Sequence, residues 1–325
     1  MNKIVALIAA VAISTGLFAQ LPEQLPYRKG FELYGSAAAG YNDLMYKVKG
    51  GSQTGGPGLN FGLGTAFFIN QHWGFSTGGN FSVYTAFSSL PANSSFLNKT
   101  VDSDGQPYYL HFLLNEKIKE FDLAYRFEIP LMAHYRYYLS SGDAVYGALG
   151  ANYSMPLGGY FTVTSGKITT TGDLGQATEL SNIPWLDFVN NQTVKNSHGK
   201  IPLRSTFTAS IELGYLHNLS KTNYLTVSLL GDYGLQNLRR GKTQTSLMYN
   251  SFQYTGFPCS DYVDKVNLMS IGIKVAFHIN LSSAPLPAGK KKTIEQPTKK
   301  GSENQNNPNM PMRRGGRRGM GINGM

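Results

Sequence analysis

The chain has a single cysteine, Cys259, among 325 residues, so it cannot contain a disulfide framework or a site built of several thiolates. Charge is scarce as well: Asp, Glu, Lys and Arg make up 15% of the residues, against about 25% in an ordinary soluble domain. With 41% apolar residues beside so little charge, a disordered polymer is excluded. Beyond the first twenty residues there is no run of about 18 apolar side chains, and the mean hydropathy is −0.23, which argues against membrane-crossing helices. What the chain has instead is glycine (37), tyrosine (20) and phenylalanine (18), the composition of a β protein in an unusual solvent.

The formal net charge of +10 belongs to the ends. Residues 284–325 hold nine basic side chains, Lys290, Lys291, Lys292, Lys299, Lys300, Arg313, Arg314, Arg317 and Arg318, against Glu295 and Glu303. Without them and Lys3, the body carries 19 basic and 17 acidic residues and is close to neutral. Residues 1–19 read as a secretory signal: Lys3 is the positive start, Ile4 to Phe18 the apolar stretch, and Ala19 precedes the cleavage point. No cysteine stands there, so a lipoprotein is excluded and export is expected. The tail 284–325 lacks apolar periodicity and reads as disordered. Its Arg-Arg-Gly-Gly-Arg-Arg cluster resembles a nucleic-acid-binding segment, but in an exported protein a solvated arm near anionic surfaces is the reading adopted.

Between the ends, strict alternation dominates, the signature of half-buried strands. From Asn267 to Leu281 the odd positions Met269, Ile271, Ile273, Val275, Phe277, Ile279 and Leu281 are apolar, while the even ones are small or polar. Residues 121–139 repeat this, Phe121, Leu123, Tyr125, Phe127, Ile129 and Leu131 alternating with Asp122, Ala124, Arg126, Glu128, Pro130 and Met132. Segments near 31–42, 57–69, 73–87, 144–155, 204–217 and 224–236 behave alike, giving eight strands with 265–281.

Alternation alone also fits a soluble sandwich or a lipocalin. The connections discriminate. They run 14 residues (43–56), 3 (70–72), 33 (88–120), 4 (140–143), 48 (156–203), 6 (218–223) and 28 (237–264), long and short in strict turn. That is the pattern of an outer-membrane barrel with short periplasmic turns and long outer loops. Aromatic residues gather at both ends of the strands: Phe67, Trp73, Phe75 and Tyr135 near the short turns, and Tyr41, Phe87, Tyr125, Tyr153 and Tyr233 near the long ones. The expected fold is therefore all-β, an eight-stranded antiparallel transmembrane barrel over residues 20–283. Eight strands place both termini, and the basic tail, on the periplasmic side of the outer membrane.

The interior of such a barrel is roughly filled by side chains. The inward positions supply Arg126, Arg136 and Lys274 against Glu32, Asp122, Glu128, Glu212 and Asp232, with His134 and His278 beside them. These read as a structural charge network that plugs the lumen, since ionised groups in a dry interior persist only when paired. A gated conduction path is the sharper alternative. Small lipid-modifying barrel enzymes use His, Ser and an acid near the outer rim. Here His72 and His217 fall at short turns, His134 and His278 towards the periplasmic ends, and only His111 and His198 lie on the outer side. No catalytic residue, cofactor or metal is assigned, and Cys259 reads as an ordinary loop residue.

The stretch Tyr125-Arg-Phe-Glu-Ile-Pro-Leu-Met-Ala-His-Tyr-Arg-Tyr-Tyr138, followed by Tyr146-Gly-Ala-Leu-Gly-Ala-Asn-Tyr-Ser154, resembles the PorT-type outer-membrane β-barrel family of the Bacteroidetes. Glu128, Ile129 and Pro130 match its core and Tyr135, Arg136 and Tyr137 its aromatic and basic run, while Phe127 stands where Leu is usual. The resemblance implies an OmpA/OmpX-like barrel inserted by the outer-membrane assembly machinery, and in that family PorT itself takes part in type IX secretion. The end of the last strand, Val275-Ala-Phe-His-Ile-Asn-Leu281, looks like an assembly signal. The expected role is structural or binding, without catalysis, through loops 88–120, 156–203 and 237–264. The alternatives are an accessory part in a secretion or envelope complex, and a lipid-modifying enzyme. The expected partners are outer-membrane lipid, the assembly machinery, and a protein at the loops or the tail, with no nucleic acid.

Overall fold

A computed structural model describes residues 29–101, 105, 107–173, 179–194, 197–220, 222–240, 246–249 and 253–282. The expected signal segment and all nine basic residues of the tail lie outside them. In chain order the strands are β1 (Gly30–Tyr46), β2 (Ser52–Phe68), β3 (Trp73–Leu90), β4 (Ser95–Val101), β5 (Pro107–Tyr138), β6 (Ala144–Asp173), β7 (Glu179–Leu180), β8 (Gln192–Thr193), β9 (His198–Lys200), β10 (Thr206–Asn218), β11 (Asn223–Gly234) and β12 (Val266–Asn280).

Eight of them close into a ring, β1-β2-β3-β5-β6-β10-β11-β12, every neighbour antiparallel. The seam is β1 against β12, in register from Glu32 opposite Asn280 to Tyr46 opposite Val266. Gly40 faces Gly272 across it; a Cβ on Gly40 would stand 2.2 Å from the Ile271 carbonyl oxygen, so the two backbones approach as closely as only glycine allows. Closure leaves no free edge in the ring, the one way a sheet satisfies all its backbone groups in hydrocarbon.

The two faces of the ring have exchanged their usual places. Outside stand the odd-numbered apolar residues, with Leu63 at 74%, Leu149 at 67% and Leu131 at 66% exposure around the waist. Inside, Glu32, Asp122 and Arg126 are fully buried. A continuous apolar girdle around a polar lumen is a surface made for acyl chains, and it rules out the water-soluble sandwich and lipocalin alternatives.

At one end the strands are joined by tight turns. In the first, the Asn70 side chain accepts the N–H groups of His72 and Trp73, both at 2.8 Å. In the second, Gly142 takes a positive φ of 87° between Leu139 and Asp143.

The other end departs from expectation. The segments 88–120 and 156–203 are not simply loops: β5 and β6 run for 32 and 30 residues, paired outward as far as Tyr109 opposite Asp173. The hairpin strand β4 extends this sheet on one side, and β7, β8 and β9 line it on the other. The first connection also shrinks, to residues 47–51. Alternation continues through these stretches with its polarity reversed: Leu110, Phe112, Leu114 and Ile118 point inward and are buried, whereas Asn115, Lys117 and Lys119 point out. The 237–264 connection folds against them. Leu238, Leu247, Phe257 and Val263 join Tyr46, Tyr84, Phe112, Phe161 and Val163 in a dry core over the end of the barrel. The barrel therefore carries a cap with the interior of a soluble protein.

Candidate functional site: the lumen and its cap

The lumen charges fall into layers. Nearest the short turns, Arg136 donates to both oxygens of Glu32 at 3.1 and 2.8 Å, and both side chains are buried. The Tyr224 hydroxyl bonds to both partners, Asn280 donates to Glu32 at 3.3 Å, and the guanidinium lies 3.4 Å from the Phe68 ring centroid. A buried pair of this kind persists because its spare donors and lone pairs are also satisfied.

One layer further in, Lys274 meets Glu212 at 2.9 Å, and Glu212 also accepts from Tyr146 at 2.5 Å and Ser228 at 2.7 Å. Above it Glu128 accepts three hydroxyls, Ser82 at 2.8 Å, Tyr84 at 3.1 Å and Ser154 at 3.1 Å. Arg126 does not pair directly with Glu128: its Nε donates to the Ser154 hydroxyl at 2.6 Å, so Ser154 bridges the two, and its Nη2 donates to the Ser154 and Arg204 carbonyls at 2.8 and 3.1 Å.

Two of the expected network members lie apart from the bases. Asp232 accepts from Ser210 at 2.5 Å and Asn152 at 3.3 Å. Asp122 accepts from Tyr46 under the cap, with Glu120 beside it. Among the described residues the lumen thus holds two direct ion pairs; hydroxyls serve Glu128, Asp232 and one oxygen of Asp122, with Asn152 also on Asp232, and the other Asp122 oxygen is left without a hydrogen bond. The reason is supply: acids outnumber bases on the inward positions, and the strands place serine and tyrosine where cations are lacking. Tyr84, Tyr146 and Tyr224 are the residues that alternation could have revealed, because each stands on the inward phase of its strand.

Glu120 was missed as well, one residue before the alternating stretch that begins at Phe121. Its carboxylate accepts the Phe257 N–H at 2.9 and 3.2 Å, fastening the 237–264 connection to the top of β5. Burial pushes this carboxyl well up, and the neighbouring Asp122 adds to the effect. Cys259, in the same connection, is pushed up to about 12 by burial and by these two acids, which favours the thiol over the thiolate at neutral pH.

Between the layers a cavity of about 80 Å³ remains, room for a few waters. Phe68, Leu216 and Arg136 line its short-turn end, and Glu128, Asn152 and Asp232 its far end. A Ser76–His134 contact of 2.7 Å faces this space, deep inside and towards the short turns. His111 and His198 stand on the sheet beyond the ring, on β5 and β9, apart from that pair.

No family model matches the chain, and no curated protein matches it in sequence. Among solved structures it is similar to Neisserial surface protein A (NspA), at 11% identity over 77% of this chain and 96% of that one, TM-score 0.30. It is similar to the outer membrane protein OprG from Pseudomonas aeruginosa at 12% identity over 78% and 97%, TM-score 0.34. A third is Ail, the attachment invasion locus protein of Yersinia pestis, at 13% over 77% and 99%, TM-score 0.29. At such scores the fold rests on the chain's own closed register.

Proposed function

We propose that the chain is an outer-membrane barrel whose work is binding, done by a rigid cap on the outer side, with both termini in the periplasm. One observation carries this reading. Beyond the girdle, where lipid ends, the outward face of the cap sheet still exposes Leu97 and Val101 of β4 and Tyr109 and Leu113 of β5. Trp185, at the centre of the turn Pro184–Leu186, is 82% exposed. Apolar groups gathered on a well-cored surface that faces neither lipid nor core mark a site for a protein partner. The orientation is supported by the asymmetry of the ends, tight turns at one and an elaborate fold at the other.

The packed layers of the lumen and its small cavity favour a structural plug over conduction. The buried position of the Ser76–His134 pair speaks against an enzyme acting on lipid at the outer rim. A part in secretion has the Tyr125–Tyr138 motif as its support, and the cap could serve such a complex equally well.

The test is crosslinking on whole cells from a photoreactive residue placed at Leu97. The intact cap is expected to capture a defined protein, and Val101→Glu with Tyr109→Glu and Trp185→Glu to lose it while the barrel still folds. An identical set of captured proteins for both chains would overturn the reading. Labelling of a cysteine placed at Asp187 in a Cys259→Ser background, from outside intact cells, checks the orientation separately.

A further inference from the structure

The passage from girdle to cap is marked by cations on one flank. The outward line of β5 changes there from Leu123 and Phe121 to Lys119 and Lys117. On the other side of β6, β9 places Lys200 opposite Tyr160 and His198 opposite Thr162, and Thr162 in turn faces Phe121. Arg204 follows on the way into β10, three residues before the outward Phe207. Lys117, Lys119, Lys200 and Arg204 are all exposed.

Among the described residues none of these four has an ion-pair partner. By contrast Lys49, on the β1–β2 connection, is neutralised by Asp264 at 2.9 Å. The one exposed acid on the flank, Glu116, stands opposite Lys167, which offsets it. Beside and below the cations lie rings of the girdle: Tyr160 opposite Lys200, Phe121 with Phe87 in a tilted contact at 5.1 Å, and Phe207 further down opposite Tyr153.

Adjacent strands stand about 4.8 Å apart and residues rise about 3.3 Å along a strand, so Lys119, opposite Ser165, and Lys200, opposite Tyr160, stand roughly 20 Å apart on a diagonal that passes the exposed Thr162 and Thr164. Lysine arms at the two ends of such a diagonal can close on two separated anionic groups. Those groups must belong to an amphiphile, because the surface beneath them is built for acyl chains. We propose that this flank of β5, β6 and β9 binds a phosphorylated glycolipid of the outer leaflet, with Lys117, Lys119, Lys200 and Arg204 on its phosphates and the aromatic edge against its acyl chains. The placement in the outer leaflet rests on the orientation proposed above; the chemistry of the site does not.

The experiment uses the full mature chain, folded in detergent micelles, and measures binding of bisphosphorylated lipid A beside its dephosphorylated form. The phosphorylated lipid should bind, and added salt should weaken it. Lys119→Glu with Lys200→Glu should lower the affinity at least tenfold, whereas Lys119→Arg with Lys200→Arg should retain it. Lys265→Glu, a charge change elsewhere on the cap, should leave binding as it was. Heat-modifiable gel mobility confirms that each variant is folded. Equal binding of the two lipids, or wild-type affinity in the double Glu variant, would overturn the proposal. A cap that labels from outside but ignores the phosphates sinks this site alone; phosphate-dependent binding with a cap facing the periplasm keeps the site and sinks the orientation.

Discussion

Strand β5 passes through two proteins. Below Phe121 its outward face carries Leu123, Tyr125, Phe127, Ile129 and Leu131, and its inward face Asp122, Arg126, Glu128 and Arg136. Above Phe121 the outward face becomes Lys119, Lys117 and Asn115, and the inward face Ile118, Leu114, Phe112 and Leu110. The pleat and the phase are unchanged; only the chemistry has crossed over. β6 reaches the same exchange by slipping its phase: Leu149 and Tyr153 stand outside, a bulge at Pro156–Gly158 turns the odd Phe161 and Val163 inward, and a second irregularity near Lys167 turns Ile168 in. Backbone pairing alone therefore does not decide which face is greasy. The solvent at each height does, and a single continuous strand records the boundary between acyl chains and water.

The difference extends to what holds each part together. In the cap, burial of apolar side chains drives packing, as in any soluble domain. In the barrel, lipid is as apolar as the girdle, so association must rest on the ladder of backbone hydrogen bonds and on the polar lumen. The largest predicted effect follows. Arg136→Ala leaves Glu32 charged and unpaired in a closed interior and should cost about 3–5 kcal/mol. The double change Glu32→Leu with Arg136→Met should recover most of that loss. Urea unfolding in lipid vesicles reads both. If the single variant unfolds like the wild type, the lumen pair contributes nothing and the contrast between the two regions weakens.

A second prediction places one substitution on either side of the boundary, on the same outward face of β6. Leu149→Arg, at the waist, should destabilise the protein by about 2–4 kcal/mol in a bilayer. Thr162→Arg, among the exposed residues above the girdle, should stay within about 0.5 kcal/mol. Folding titrations in vesicles compare the two directly. Equal costs would mean that the boundary has been drawn at the wrong height.

The ring was legible in the sequence because alternation between odd and even positions needs no knowledge of partners. Residues 121–139 declare their two faces by themselves, and each of the eight alternating segments falls largely within a strand of the ring. Pairing within the lumen was not legible. Arg136 and Glu32 are separated by 104 residues, and their meeting depends on how the whole ring closes. Alternation could select the acids and bases but could not show that Arg126 reaches Glu128 through Ser154, or that Asp232 rests on Ser210. The cap was hidden for a different reason. An apolar residue on an even position there means the same burial that a polar residue means lower down, so a search for one fixed phase of greasy positions stops at Phe121 and takes 107–120 for a loop.

The smallest effect sharpens the comparison through pH. Glu120, fastened to the Phe257 N–H inside the cap, is pushed up by burial and then by Asp122, whereas in an opened cap it would titrate near its ordinary 4.5. As pH rises past that value the opened form loses its proton first and the closed form keeps it, so closure weakens until Glu120 ionises in place. Asp143, in the second short turn at the opposite end, has the reverse sign. Burial pulls it up, but the Tyr215 hydroxyl at 2.6 Å, the Asn218 N–H and His217 together outweigh that and hold it below its ordinary 3.8. Its turn is therefore firmest above that pH and loosens as pH falls through the lowered value. Amide exchange corrected for intrinsic rate separates the two: as pH rises past 4.5 the segment around Phe257 should exchange faster while the Leu139–Asp143 turn stays level. Glu120→Gln should flatten the response of the cap. A cap whose exchange ignores pH with glutamate in place would show that this carboxyl does not fasten it.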